Sequence, residues 1–158
     1  MVRTAVEAEP DNPSYYYKGS ITLARSGKLP LALDYAKRAV ELAPGEPAYE
    51  LQLRMLRSRL RIAEARELLS ANPPRTEPAI GLLKEALRLD PLAADARLLL
   101  GIAYRMRGEY GRSIEALREA LQLNPQYEEA RRLLREVRSE RRRTLKQLYD
   151  PINHKRDR

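Results

Sequence analysis

The side chains that do chemistry in enzymes are sparse in this 158-residue chain and badly placed for it. Cysteine is absent, which removes disulfide frameworks and thiolate metal sites. The one histidine, His154, stands four residues from the end of the sequence, in a stretch expected to fray, where no base or metal ligand is held in place. Carboxylates are plentiful, but pairs such as Glu128-Glu129 fall in helical surface patterns, where solvating a helix is a far commoner role than acid–base work. There is no Gly-rich phosphate loop, no His-Glu-x-x-His and no nucleophile with a base nearby in sequence. The chain is therefore read as a non-enzyme, with no catalytic residue, metal ligand or cofactor.

Its one concentration of chemical potential is positive charge. Residues 131 to 158 hold 11 Lys or Arg against 4 Asp or Glu, so they carry +7 of the total +8. Arg138, Arg141, Arg142, Arg143 and Lys146, with the terminal HKRDR, have the character to contact RNA, an anionic membrane surface or an acidic protein. The plainer reading is a solvated helix whose arginines pair with Glu136 and Glu140. No aromatic platform is interleaved with these arginines as binding to single-stranded nucleic acid would favour.

The elements that must position these residues are read from a repeated phrase. Ala-aliphatic-x-aliphatic-x-Pro recurs as AVEAEP ending at Pro10, AVELAP at Pro44, ALRLDP at Pro91 and ALQLNP at Pro125, with spacings of 34, 47 and 34 residues. A period of about 34 marks an array of helix-turn-helix units, each unable to bury its apolar face until a neighbour stacks on it. The 43% hydrophobic and 33% charged composition suits such an amphipathic, all-helical protein. The opening MVRTAVEAEP lacks the apolar core of a signal peptide, and no stretch reaches the roughly 18 apolar residues of a membrane span, so a soluble, cytoplasmic protein is expected.

The clearest unit, residues 94–125, fixes the frame. Leu100, Gly101, Tyr104, Ser113, Leu117, Ala120 and Pro125 stand where a tetratricopeptide repeat places Leu, Gly, Tyr, Ala, Phe, Ala and Pro, and the unit resembles that family closely. Gly101 lets the two helices approach, Tyr104 fills the space beside it, and Arg107-Gly108-Glu109 makes a short polar turn. Residues 13–44 follow the same frame less faithfully, with Ser20 at the Gly position and Ala36 at the Phe position, which implies smaller packing. Ser26-Gly27-Lys28 is their turn, and Pro30 opens the second helix, where its missing N–H costs little.

Residues 47–91 form an irregular unit, 45 residues long against the regular 32. The surplus is read as a first helix extended over roughly 47 to 70, then a loop, ASNPPRTEP, whose paired prolines cannot continue a helix. The expected fold is thus all-α: a right-handed solenoid of antiparallel helix pairs over 1–125, a capping helix over 126–149 and a basic tail over 150–158. Residues 1–10 would be the end of a partial repeat, as in an excerpt from a longer array. A solenoid needs such a cap to cover its last face.

The resemblance implies a function. In tetratricopeptide arrays the first helix of each pair lines a concave groove in which a peptide or partner helix lies. Carried over by position, the groove would comprise Ser14, Tyr17, Ile21, Ala24 and Arg25, then Leu51, Met55 and Arg59, then Leu98, Ile102, Arg105 and Met106. This mainly apolar lining with a few arginines suits an amphipathic helix or extended segment with acidic neighbours. The Lys and Asn clamp by which some family members grip the terminal carboxylate of chaperone peptides is missing, since Tyr17, Ile21, Leu98 and Ile102 occupy its positions. The expected role is a protein-interaction scaffold. The alternatives are a nucleic-acid or ribosome-associated factor working through its basic end, and an accessory region of a larger enzyme. Homo-oligomerisation through an exposed stripe stays open.

Overall fold

The computed structural model describes residues 11–156, with side chains over 11–149. The AVEAEP segment and the side chain of His154 lie outside the described residues. Among the described residues there are seven helices and no strand: α1 (Pro13–Arg25), α2 (Leu29–Leu42), α3 (Pro47–Ser70), α4 (Thr76–Leu89), α5 (Ala94–Met106), α6 (Tyr110–Leu123) and α7 (Glu128–Arg156). They pack in antiparallel pairs, α1 on α2 and α5 on α6, with α7 laid against α6. Over the described residues the chain forms two compact units, one of residues 11–64 with Lys84–Pro91, the other of Ala65–Leu83 with residues 92–156.

In the first unit, Asn12 caps α1 by accepting a bond from the Ser14 N–H at 3.0 Å, and Pro13 supplies the pre-set first residue. The helix ends at a left-handed glycine, Gly27 (φ 78°), and the Lys28 N–H closes the turn on the Leu23 carbonyl at 2.9 Å. Ala24, Ala32 and Ala36 then pack with Leu53 and Leu56 of α3. Ser20 and Ala36, the two departures from the repeat pattern, are both fully buried. Ala36 packs among Ala24, Ala32, Leu53 and Leu56, and the Ser20 hydroxyl donates to the Tyr17 carbonyl at 2.6 Å. Further along α3, the buried Ser58 hydroxyl donates to the Ala86 carbonyl at 2.9 Å, and Arg61 pairs with Glu85 at 3.3 Å. These contacts tie the middle of α3 to the end of α4.

In the second unit the equivalent positions hold Gly101 and Leu117. A Cβ on Gly101 would stand 2.7 Å from the Leu117 side chain, so glycine on α5 is what admits a large residue on α6. The Ser113 hydroxyl donates to the Gly101 carbonyl at 2.6 Å and locks the pair at that height. Gly108 (φ 72°) repeats the turn seen at Gly27, with the Glu109 N–H bonded to the Tyr104 carbonyl at 2.9 Å. The Pro-rich connection is shorter than the sequence suggests. The Arg75 N–H closes on the Leu68 carbonyl at 2.9 Å and α4 starts at Thr76. Pro78 therefore lies in the first helical turn, where its missing N–H has no intrahelical partner to lose.

The core of this unit joins three helices. Leu98 of α5, Ile114, Leu117 and Ala120 of α6, and Ala130, Leu133, Leu134 and Val137 of α7 form one buried cluster. Its α7 members recur at helical spacing, so one face of that helix is consumed by the repeat before it. The helix itself continues to Arg156, beyond position 149.

Candidate partner-binding surfaces

The first helix of each pair presents its fifth, ninth and thirteenth residues along one line, one turn apart. On α1 these are Tyr17, Ile21 and Arg25; on α3 they are Leu51, Met55 and Arg59; on α5 they are Leu98, Ile102 and Met106. Similar helical positions meet different surroundings.

In the first unit α1 and α3 lie side by side. The Tyr17 and Tyr49 rings are 4.8 Å apart between centroids, and Gln52 Nε2 donates to Ser20 Oγ at 3.3 Å. Both contacts join residues 32 apart in sequence, so the two helices run parallel in register. Tyr17 and Ile21 are half-buried in this arrangement, as is Ser14. Ala24, expected in the groove, is buried in the core instead, because it faces α2 and α3. Leu51 and Met55 keep 46% and 40% of their surface in solvent. Arg25 and Arg59 are exposed and make no ion pair among the described residues. The outcome is an exposed apolar pair one turn long, with exposed guanidinium groups beyond its Met55 end.

In the second unit the corresponding line is occupied by the chain itself. Leu98 is 2% exposed and packs in the cluster that includes Val137, so it offers nothing to a partner. Ile102 packs against the same cluster. Arg105 donates to Glu136 at 3.1 Å and to Glu140 through two nitrogens, one of them at 3.2 Å. These bonds, led by that to Glu140, hold the guanidinium more firmly protonated than usual against the opposing effect of burial. Only Met106, 48% exposed at the end of α5, stays open. Of the three residues expected in a groove here, Leu98 is instead buried against α6 and α7, while Ile102 and Arg105 are partly covered by the chain itself.

That contact also redistributes charge on α7. Glu136 and Glu140 are engaged by Arg105 and Arg132, and not by the arginine run that follows them. Arg138, Arg141, Arg142, Arg143 and Lys146 are exposed and form no ion pair among the described residues. Three of them share a groove that sequence reasoning missed. Ile114 and Arg118 of α6 with Arg138, Arg141, Arg142 and Leu145 of α7 enclose about 360 Å³. Its trace in the sequence is Leu145 falling four residues after Arg141 and seven after Arg138, which puts all three on one helical face.

A family model of the tetratricopeptide repeat matches residues 1–47 and 62–128. The chain belongs to the tetratricopeptide repeat family. The stretch the model skips, 48–61, lies inside α3, where this tetratricopeptide domain departs from the regular unit length. Solved structures similar to the domain include MamA 41-end from Desulfovibrio magneticus RS-1, at 19% identity over 97% of this chain and 80% of that one, with a TM-score of 0.47. Another is YrrB, described as a TPR protein with an unusual peptide-binding site, at 24% identity over 82% of this chain and 60% of that one, TM-score 0.41. A third is the first TPR of Spaghetti bound to an HSP90 peptide, at 16% identity over 81% and 91%, TM-score 0.41. No curated protein sequence gives a significant match. Domains of this family typically mediate protein–protein interactions. Among the described residues, no three His, Cys, Asp or Glu side chains converge to hold a metal, and no helix is long and apolar enough to cross a membrane.

Proposed function

We propose that this tetratricopeptide domain is a protein-interaction scaffold that seats a segment of a partner protein on the first-helix face of its first unit, and that it acts by binding, without a catalytic step. Leu51 and Met55 provide the apolar seat, Tyr17 and Ile21 its flank, and Arg25 and Arg59 take acidic side chains of the bound segment. The observation that carries this reading is the exposure of Leu51 and Met55, one helical turn apart, with arginines that have no carboxylate partner among the described residues at the Met55 end. Apolar burial supplies affinity at such a site, while planar guanidinium groups supply direction by bidentate pairing.

Capture of partners from nuclease-treated source lysate tests it, comparing the native chain with a Leu51→Glu, Met55→Glu variant. Both residues are solvent-exposed, so the variant is expected to keep the native circular dichroism spectrum. Loss of a captured protein in the variant supports the seat; capture unchanged in a folded variant removes it.

A further inference from the structure

The second unit carries another surface, independent of the Leu51–Met55 seat. In the groove between α6 and α7, Ile114 is buried at the floor and Leu145 is half in solvent, at 51% exposure. Arg118, Arg138, Arg141 and Arg142 form the walls, and none has an ion-pair partner among the described residues. Earlier on α7, Arg131 pairs with Glu128 and Arg132 with Glu136, each at 3.5 Å. From 141 to 149 every side chain is exposed, and Leu148 and Tyr149 extend the apolar line three and four positions beyond Leu145. An apolar stripe at that spacing is the kind that buries itself against another helix.

Charge selects the occupant. A second copy docked symmetrically on this stripe would bring its own Arg141, Arg142, Arg143 and Lys146 against the same residues, a like-charge contact that costs affinity. Nucleic acid would find phosphate ligands here, but the groove itself has an aliphatic floor, and Tyr149, a ring on which a base could stack, stands four residues beyond Leu145, outside the lining. A bilayer surface would meet the projecting Leu145 and Leu148 while leaving the recessed Ile114 unused. An acidic helix uses the whole lining at once.

We infer that the groove between α6 and α7 receives an acidic amphipathic helix of a partner protein. Its apolar side lies on Leu145 and Leu148 over Ile114, and its carboxylates pair with Arg118, Arg138, Arg141 and Arg142.

The test is fluorescence anisotropy with the full chain and a labelled designed peptide of about 18 residues, five helical turns, carrying Leu at i, i+3, i+4 and i+7 and Glu on the flanks. The native chain binds it, and a scrambled peptide of equal charge but no apolar stripe binds at least about tenfold more weakly. Arg118→Glu with Arg141→Glu weakens binding by at least about tenfold. Lys37→Glu with Lys84→Glu, the same change in net charge at exposed positions of α2 and α4, changes it by less than about twofold. Because the first-unit seat also takes apolar and acidic side chains, the same titration is run on Leu51→Glu with Met55→Glu: this variant keeps the binding that Arg118→Glu with Arg141→Glu loses, and the opposite pattern overturns the inference by placing the peptide on the first unit. The inference is overturned if the native chain does not bind the peptide, if the scramble binds equally, or if the two charge-matched variants lose equally. Tighter binding of a single-stranded RNA oligonucleotide or of phosphatidylserine vesicles, lost in the Arg118→Glu, Arg141→Glu variant, overturns it as well by giving the groove to that partner.

Discussion

Leu51 and Leu98 are each the fifth residue of a first helix, and Met55 and Ile102 each the ninth, yet Leu51 and Met55 lie open to solvent whereas Leu98 is enclosed and Ile102 partly buried. The residue types hardly differ. What differs is the neighbour: α7 spends Ala130, Leu133, Leu134 and Val137 on the α5–α6 pair and sends Glu136 and Glu140 to Arg105. A repeat position is thus a binding position only where no helix of the chain has already claimed it. The terminal helix closes one face and, by extending beyond it, opens another around Leu145.

This contrast is most easily broken in the core. Leu98→Ala removes a side chain from a filled cluster and is expected to cost about 2–5 kcal/mol in urea unfolding, from lost transfer energy plus the cavity. Gly101→Ala follows, since the added methyl meets Leu117 at 2.7 Å. Moving Leu117 off its place is expected to cost about 1–3 kcal/mol, and a paired Leu117→Ala change should recover part of the clash while approaching the Ser20–Ala36 solution of the first unit. Arg105→Ala loses partly screened bonds to two carboxylates and is expected to cost about 1 kcal/mol, with the loss shrinking as salt is raised. Smallest is Leu51→Ala, expected to stay within about 0.5 kcal/mol of the native stability because nothing in the fold leans on the exposed part of that side chain. A Leu51→Ala cost equal to that of Leu98→Ala would erase the contrast.

The helix pairs were legible in the sequence because each carries its own punctuation: prolines near helix starts, left-handed glycines at Gly27 and Gly108, and alternating small and large residues at the pair contacts. The start of α4 was harder to read. Pro73, Pro74 and Pro78 look alike in the chain, but only a proline past the first turn removes an intrahelical bond. The surface was legible as a line of helical positions and illegible as a state of those positions. Leu98 and Ile102 show the same apolar spacing whether a partner or α7 covers them, since periodicity records that a face is buried and not by what. Arg105 could not be separated from Arg25 and Arg59 for the same reason: its partners lie 31 and 35 residues away on another helix. The Ile114–Leu145 groove needed the register between α6 and α7, which no local pattern encodes.

The most direct measurement exploits a chain without cysteine. Met55→Cys and Leu98→Cys variants, each shown to be folded, are labelled with a thiol reagent under native conditions and their rates compared with those of the unfolded chains. The thiol at position 55 should react within a fewfold of its unfolded rate, whereas labelling at position 98 should be slower by about a hundredfold or more, because it waits for α7 to open. Similar rates at the two positions would contradict the account, since they would mean that α7 does not cover the last repeat and that the two faces are equally free.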